Sequence, residues 1–198
     1  AGDITRKKEK RESAPALSYD SFRLGLELQV AGKRREQIED LKKIIQLSQD
    51  KKEKPHLLFR LGELYWEESK FFFFEANRKD DDKIQAINRD DKAGAERAES
   101  EKQAILAKSK DFAQQAVAQY STIVQQHKDY ERTDEVLFFL GLNLIEMGDD
   151  KRGLVAYKRL VDKFKKSKFL PDAWLAIGEY HFNNSKGKRD VVEKALEA

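Results

Sequence analysis

Cysteine is absent from this 198-residue chain, which excludes disulfides, thiolate metal sites and cysteine nucleophiles. Long apolar runs are absent too, since none approaches the ~18 residues of a membrane-spanning helix. Neither charge sign dominates: 39 basic and 36 acidic residues give a net charge of +3, too small to imply strong attraction to nucleic acid or anionic lipid. Because a chain without cysteine suits either side of a membrane, the compartment stays open.

Charged residues are abundant instead. They form 38% of the chain, against roughly 25% in an average soluble protein, while a hydrophobic share of 39% can still supply a core. An extended helical protein fits this balance, because thin helical layers leave much side-chain surface in water. Residues 1–16 are polar and contain Pro15, which predicts a flexible leader. This segment lacks the apolar stretch of a signal peptide, so we expect that any targeting signal has been removed.

One short pattern recurs four times: an apolar residue, two others, an apolar residue followed by glycine, two others, and an aromatic or apolar residue. The copies are Ser21-x2-Leu24-Gly25-x2-Leu28, Leu58-x2-Leu61-Gly62-x2-Tyr65, Leu137-x2-Leu140-Gly141-x2-Leu144 and Trp174-x2-Ile177-Gly178-x2-His181. A glycine inside a helix costs about 1 kcal/mol relative to alanine unless a closely packed neighbour needs the missing side chain. Four glycines in register therefore predict close helix packing.

The spacing of these frame glycines reveals an insertion. They are 37, 79 and 37 residues apart, so the middle interval exceeds the period by 42. An apolar pair follows the glycine by 16 and 19 residues in the first and third copies, at Leu41/Ile44 and Tyr157/Leu160. In the second copy the pair is displaced by the same 42 residues. Both measurements place the insertion between the two helices of the second repeat.

These residues resemble the tetratricopeptide repeat, whose first helix carries W-x2-L-G-x2-Y and whose second carries an alanine and an aromatic residue. Trp174, Ile177 and Gly178, followed in the second-helix pattern by Ala116 and Tyr120, carry the resemblance best. It covers residues 17 onward. The departures are Ser21 at the tryptophan position, Gln37 and Gly153 in place of the second-helix alanine, and Pro55 and Pro171 at the start of the next repeat instead of a helix-ending proline.

The resemblance implies an all-α fold: a right-handed solenoid of helical hairpins over residues 17–198, with frame glycines 25, 62, 141 and 178. An extended helical hairpin, residues 75–115, is inserted in repeat two. The 37-residue period is similar to that of bacterial cell-envelope tetratricopeptide proteins, and residues 64–81 resemble those of gliding and predatory bacteria. We therefore expect a periplasmic or envelope-associated protein of a Gram-negative bacterium, in motility or envelope-assembly machinery, with the cytoplasm as the alternative.

In this family the first helices line a concave groove, into which the residues three before, one after and four after the frame glycine point. The positions here are Phe22, Leu26, Gln29, Phe59, Glu63, Trp66, Phe138, Leu142, Ile145, Leu175, Glu179 and Phe182. Such an apolar stripe could receive a helix or extended peptide, with aromatic anchors supplying most of the affinity. The alternative is that part of it packs on the chain's own helices. Because Phe, Glu and Leu replace the lysines and asparagines that grip a terminal carboxylate in some members, no such clamp is expected.

The insertion contains 9 basic and 10 acidic residues and few aliphatic ones, so it is not expected to form a core. Helix-forming residues predict a projecting antiparallel hairpin that reverses within residues 80–94. This arm either meets a second partner or is a solvated decoration. At its base, Phe71, Phe72, Phe73 and Phe74 must point in four directions about 100° apart. Either two pack near Phe112 and Ala116 while the others plug a gap between repeats, or at least one is an exposed anchor for another chain.

Catalytic and metal-binding patterns are missing. His56, His127 and His181 lack metal-ligand spacing, and there is no nucleophile elbow, phosphate loop or dinucleotide fingerprint. The triplet Asp80–Asp82 lacks the alternating ligands of a calcium loop, which favours a helix-capping or loop cluster. We therefore expect no enzyme, no cofactor and no metal.

The leading hypothesis from the sequence is a protein–protein interaction scaffold that uses the groove and the arm, within a hetero-oligomeric complex. A peptide-recognition adaptor is the first alternative. The second is an anionic-surface or nucleic-acid binder acting through Lys7–Arg11, Lys163–Lys168 and Lys186–Arg189, although the lack of a stacking platform favours a solvated surface. Repeat four stops within its second helix, so either further repeats or a partner would cover that end.

Overall fold

The computed structural model describes residues 19–184, and the side chains of residues 25–184. This part of the chain contains six helices and no strand, which confirms the all-α prediction. Its helices are α1 (Tyr19–Leu47), α2 (Lys54–Asn88), α3 (Lys92–Gln126), α4 (Thr133–Glu146), α5 (Asp150–Lys163) and α6 (Leu170–Asn183). The leader predicted at residues 1–16 and the second helix expected in repeat four lie outside the described residues.

Each helix packs on the next one along the chain, and the contact between α2 and α3 is the most extensive. One core of buried side chains runs from Ile38 in α1 to Ile177 in α6. Pro55 stands in the first turn of α2, where its missing N–H would have no helical partner in any case. Asp91 and Asp149 cap the N-termini of α3 and α5, because each carboxylate accepts a hydrogen bond from a backbone N–H of the first turn.

Two of the frame glycines allow a tyrosine of the following helix to lie directly on the helix backbone. A Cβ atom on Gly62 would lie 2.6 Å from Cε1 of Tyr120, and one on Gly141 would lie 2.8 Å from Cε1 of Tyr157. Both tyrosines are buried. The close packing predicted for these two glycines is therefore confirmed, and Tyr120 fills the place in α3 that Tyr157 fills in α5.

The hairpin predicted for the first repeat is wrong. Residues Tyr19–Leu47 form one continuous helix, without a turn between the two halves of that repeat. The close packing predicted at Gly25 is wrong as well, because no described atom lies within 4 Å of a Cβ built there. The first repeat thus contributes a single long helix, which packs on α2.

The cause is visible at two glycines that follow their frame glycine by seven residues, Gly32 and Gly148. Gly148 has φ +81°, a conformation that favours glycine, and the N–H of Asp149 donates to the carbonyl of Leu144 at 2.8 Å, which closes α4. Asp149 then caps α5 by accepting from the Arg152 N–H at 3.2 Å. Gly32 is followed by Lys33, which cannot cap a new helix, and α1 continues through it.

The arm consists of the distal halves of α2 and α3, and the chain reverses between Asn88 and Lys92, inside the range that the sequence predicts. Between the two helices of the arm, the buried side chains include the small residues Ala76 and Ala98, where a core of large side chains would otherwise stand. The Ser109 hydroxyl donates to the Ser69 carbonyl at 2.8 Å. Close approach of two helices through small residues thus supplies what aliphatic side chains do not.

Ion pairs join the two helices of the arm. Lys79 lies 2.8 Å from Glu101, and Lys102 lies 2.7 Å from Asp80. The interpretation of Asp80–Asp82 as a capping or loop cluster is wrong, because all three residues lie inside α2. Asp80 pairs across the arm, and Asp82 pairs with Lys79 on the same helix at 3.1 Å.

Candidate functional site

Two of the predicted groove positions are occupied by the chain's own packing. Phe59 is 1% exposed, and its ring centroid lies 5.8 Å from that of Tyr120. Phe138 is half-buried, 5.9 Å from Tyr157 and stacked on Phe169 at 4.7 Å. The residue three before the frame glycine therefore packs on the tyrosine of the following helix in both repeats, and it offers little or no surface to a partner.

Other predicted groove residues also make contacts within the chain. The Trp66 indole N–H donates to Glu146 at 3.4 Å, and its ring lies 6.1 Å from Phe139. Glu63 pairs with Arg60 at 3.2 Å. Leu142 is half-buried, and so is Ile145.

The remaining groove positions lie at the two ends of the described chain. Leu26 and Gln29 are exposed on α1, whereas Phe22 belongs to α1 and its side chain is not described. Leu175, Glu179 and Phe182 are exposed on α6. The predicted groove positions are therefore exposed at the two ends of the described chain, and those between are largely covered by the chain's own side chains.

The four consecutive phenylalanines divide into two pairs. Phe72 stacks on Phe112 of α3, with ring centroids 5.5 Å apart and planes 10° apart. Phe71 packs edge-on against Phe72 and lies beneath the Arg35 guanidinium. Phe73 and Phe74 are 44% and 62% exposed, and their ring centroids lie 5.9 Å apart.

The Phe73–Phe74 pair follows the point along α2 at which the last residue of α4 makes its contact. Glu146, the last residue of α4, accepts from Lys70 at 2.5 Å as well as from Trp66. Helical periodicity places Phe73 and Phe74 three and four residues beyond Lys70, and so close to the same side of α2. The face of α2 that meets α4 therefore continues beyond that helix as two exposed aromatic rings at the base of the arm.

A buried ionic cluster joins α1 to α2. The Glu68 carboxylate is completely buried and accepts from Arg34 at 2.8 Å and from Arg35 at 2.5 Å. Arg34 also donates to Glu67 at 3.1 Å. This cluster is not among the features predicted from the sequence. The only available signal was the pair of adjacent arginines facing a pair of adjacent glutamates, which in most proteins marks a solvated surface.

A cleft of about 620 Å³ opens between α1 and α2 on one side of this cluster. Its lining includes Gln29 and Val30 of α1 and Arg60, Leu64 and Glu67 of α2. Both arginines that line the cleft are paired, Arg60 with Glu63 and Arg34 with Glu67 and Glu68, so it presents no unpaired guanidinium to a ligand.

The described histidines have separate structural surroundings. His56 Nδ1 lies 3.2 Å from the Tyr130 hydroxyl. Burial, and to a lesser degree the charge of Lys54, lowers the pKa of His127. No cluster of three or more His, Asp or Glu side chains in residues 25–184 could hold a metal ion.

The basic segments are only partly described. Lys163–Lys168 spans the end of α5 and the loop before α6, and its four lysines are exposed. Lys7–Arg11 and Lys186–Arg189 lie outside the described residues. None of the helices between residues 19 and 184 has both the length and the apolar character needed to cross a membrane.

Comparison with known proteins identifies no relative: no family model, no curated protein and no solved structure matches this chain.

Proposed function

We propose that this chain is a non-enzymatic scaffold that holds other proteins in a multiprotein assembly. The observation that carries the proposal is the exposed Phe73–Phe74 pair at the base of the arm. Isolated apolar residues are ordinary on a protein surface, but aromatic side chains dominate the affinity of protein interfaces because each buries a large area. Two adjacent rings beside a projecting arm suit a partner that presents an apolar helix or extended segment.

The continuity of α2 supports this arrangement. One helix runs from the core through the Phe73–Phe74 pair into the arm, and ion pairs and small residues hold its distal half against α3. A partner seated on the pair would therefore lie beside the arm in one fixed orientation. The arm then supplies a polar second contact surface, which sets register more than affinity.

The architectural part of the proposal is a tetratricopeptide-like solenoid of the bacterial cell envelope, in motility or envelope-assembly machinery. It is supported by the 37-residue period and by the two glycine–tyrosine contacts that repeat across the insertion. The alternative of a peptide-recognition adaptor relies on the apolar groove. It is weakened by Phe59 and Phe138, which pack within the chain.

Site-specific photo-crosslinking in the native source tests the proposal. A photoactivatable phenylalanine analogue replaces Phe74 in one variant and Val155 in a matched control, since Val155 is equally exposed but lies on α5. We expect one specific neighbour to be crosslinked from position 74 and not from position 155. Adding Phe73→Ser should abolish that crosslink without unfolding the chain.

Two results would contradict the proposal. If the same set of proteins is crosslinked from both positions, the contacts reflect crowding and not a docking surface. If position 74 gives no product in the intact assembly, the aromatic pair does not meet a partner.

A further inference from the structure

Three residues of α2 that contact α4 lie on one side of the helix. The ring centroids of Phe59 and Trp66 each lie 6.1 Å from that of Phe139. Four residues beyond Trp66, Lys70 donates to Glu146 at 2.5 Å, and Glu146 also accepts from the Trp66 indole N–H. Intervals of seven and four residues keep side chains on one side of a helix, because each residue turns it by about 100°. Phe59, Trp66 and Lys70 therefore define the side of α2 that faces α4.

The same side of α2 continues into the arm. Intervals of three, four, four and three residues after Lys70 lead to Phe73, Asn77, Asp81 and Ile84, and all four side chains are exposed. Phe73 and Ile84 are 44% and 54% exposed although they are large and apolar. We call these four residues the arm face. It has an apolar residue at each end and two polar residues between them.

We propose that the arm face binds one amphipathic α-helix of a partner protein, which lies along α2. This inference rests on the proposed function and specifies the shape and charge of the partner. A helix suits the arm face because intervals of three and four residues are those of a helix–helix seam, and on this side of α2 the core already provides one helix, α4. Ile84 lies 11 residues beyond Phe73, about 16 Å along the helix, so the partner needs roughly three turns.

Asp81 determines the charge that the partner should present. The two acidic residues beside it are paired within the arm, Asp80 with Lys102 at 2.7 Å and Asp82 with Lys79 at 3.1 Å. Among residues 25–184, no cationic side chain forms an ion pair with Asp81. A lysine or arginine between the two apolar ends of the partner helix would pair with this carboxylate, whereas an acidic residue there would be repelled.

A second copy of the arm fits less well than a different protein. Two arms packed antiparallel with Phe73 over Ile84 would bring the Asp81 carboxylates of both copies into one seam. The arm face contains no lysine or arginine, so neither copy would supply the cation that the other needs. The partner is therefore expected to be a different chain.

Photo-crosslinking in the intact assembly tests whether the occupant is a helix. A photoactivatable phenylalanine analogue replaces Asn77 in one variant and Ile84 in another. It replaces Asp82 in the control, because Asp82 is exposed but lies about 180° around the helix from Phe73. We expect the same protein to be crosslinked from positions 77 and 84. Mass spectrometry should place the two crosslinks about seven residues apart on that protein, since both helices rise 1.5 Å per residue. An extended segment would cover the same distance in about three residues.

Charge reversal tests the role of Asp81. Asp81→Lys should reduce the crosslink from position 84 by at least about tenfold, because it sets two cations against each other. The matched control is Asp82→Lys, the same change of charge at the next residue. It should alter the yield by less than about twofold, because the ion pair that it removes is exposed. Circular dichroism establishes that both variants fold.

Failure of this inference and failure of the proposed function give different results. If position 74 is crosslinked specifically but positions 77 and 84 give no more product than position 82, the partner does not lie along the arm, and only this inference is overturned. A spacing of about three residues, a crosslink to a second copy, or equal yields in the two charge-reversal variants would also overturn it. If positions 74, 77 and 84 all give no product, both proposals are wrong.

Discussion

The Cβ position of Gly62 lies 2.6 Å from Cε1 of Tyr120, and the tyrosine ring is completely buried. The glycine is on α2 and the tyrosine on α3, on either side of the inserted arm. Gly141 and Tyr157 make the same contact without an insertion between them. The backbone of α2 and the ring of Tyr120 are therefore pressed together with no space for a methyl group.

Gly62→Ala should lower the free energy of unfolding by about 1–3 kcal/mol, because the buried ring cannot move away from the added methyl group. The change acts against the helix-propensity gain of about 1 kcal/mol that alanine otherwise brings. The matched control is Gly32→Ala, on an exposed site of α1 where no described atom lies within 4 Å. Gly32→Ala should stabilise the protein. Urea unfolding followed by circular dichroism measures both, and a stabilising Gly62→Ala would show that the contact is loose.

Tyr120→Phe should leave stability unchanged or raise it by up to about 1 kcal/mol. The Tyr120 hydroxyl is buried without a hydrogen-bond partner among the described residues, and burial raises its pKa. Tyr130→Phe is the comparison, because it removes the contact of the hydroxyl with His56 and should cost about 0.5–1.5 kcal/mol. If the two substitutions cost the same, the Tyr120 hydroxyl has a partner after all.

Glu68→Ala should destabilise the docking of α1 on α2 by about 3–5 kcal/mol, because it leaves the mostly buried Arg34 guanidinium without the carboxylate of Glu68. Hydrogen exchange should accelerate in α1 more than in α4 and α5. The control is Glu36→Ala, which removes an exposed pair with Lys33 and should change stability by no more than about 0.5 kcal/mol. Unchanged exchange in α1 of the Glu68 variant would mean that apolar contacts alone hold the helix.

Phe72→Ala and Phe74→Ala should differ in stability. Phe72 is half-buried and stacked on Phe112, so its loss should cost about 1–3 kcal/mol. Phe74 is mostly exposed, and its loss should change the free energy of unfolding by no more than about 0.5 kcal/mol. Thermal and urea unfolding check both values. A large loss in Phe74→Ala would make that residue part of the fold and remove the main argument for an exposed anchor.

The stability of the chain should decrease as the pH falls below about 6.5, partly because of His127. Its pKa is lowered in the folded chain, so the unfolded chain takes up a proton near pH 6.5 that the folded chain binds only at lower pH. Proton uptake by His127 in this range therefore favours unfolding. The loss of stability that it causes ends once the pH lies below the pKa of His127 in the folded chain. His127→Gln should flatten the difference in urea midpoint between pH 7.5 and pH 5.5. An identical difference in the variant would exclude His127 as a contributor.

The equivalence of Tyr120 with Tyr157 could be predicted from the sequence, because each follows its frame glycine by 16 residues once the 42 inserted residues are left out. The arm could be predicted in outline for the same reason. Its packing could not, since alanines and serines carry no strong periodic signal and act only when two helices come close. The buried Glu68 cluster was equally hidden, because a charged residue is normally exposed.

The residue that follows the glycine determined whether the helix ended or continued. Gly32 and Gly148 hold the same place in the pattern, but only Gly148 is followed by a capping aspartate, and only there does the helix end. The repeat pattern alone predicts a hairpin, and so a turn, in both repeats. A glycine permits a turn without imposing one, so the next residues determine the outcome.

The sequence by itself determined the helical class, the 37-residue period and the equivalent places of Tyr120 and Tyr157, because these follow from residue type and spacing alone. That Tyr120 lies on Gly62 and Tyr157 on Gly141 depends on how the helices pack, since Gly25 and Leu41 have the same spacing but lie on one continuous helix. Only the tertiary structure decided that Phe59 is buried while Phe73 and Phe74 are exposed. All three are phenylalanines on α2, and local sequence cannot separate them. Burial depends on which side chains of neighbouring helices lie against each ring: Phe59 packs on Tyr120 of α3 and Phe139 of α4. Phe73 and Phe74 pack edge to face on each other and stay exposed.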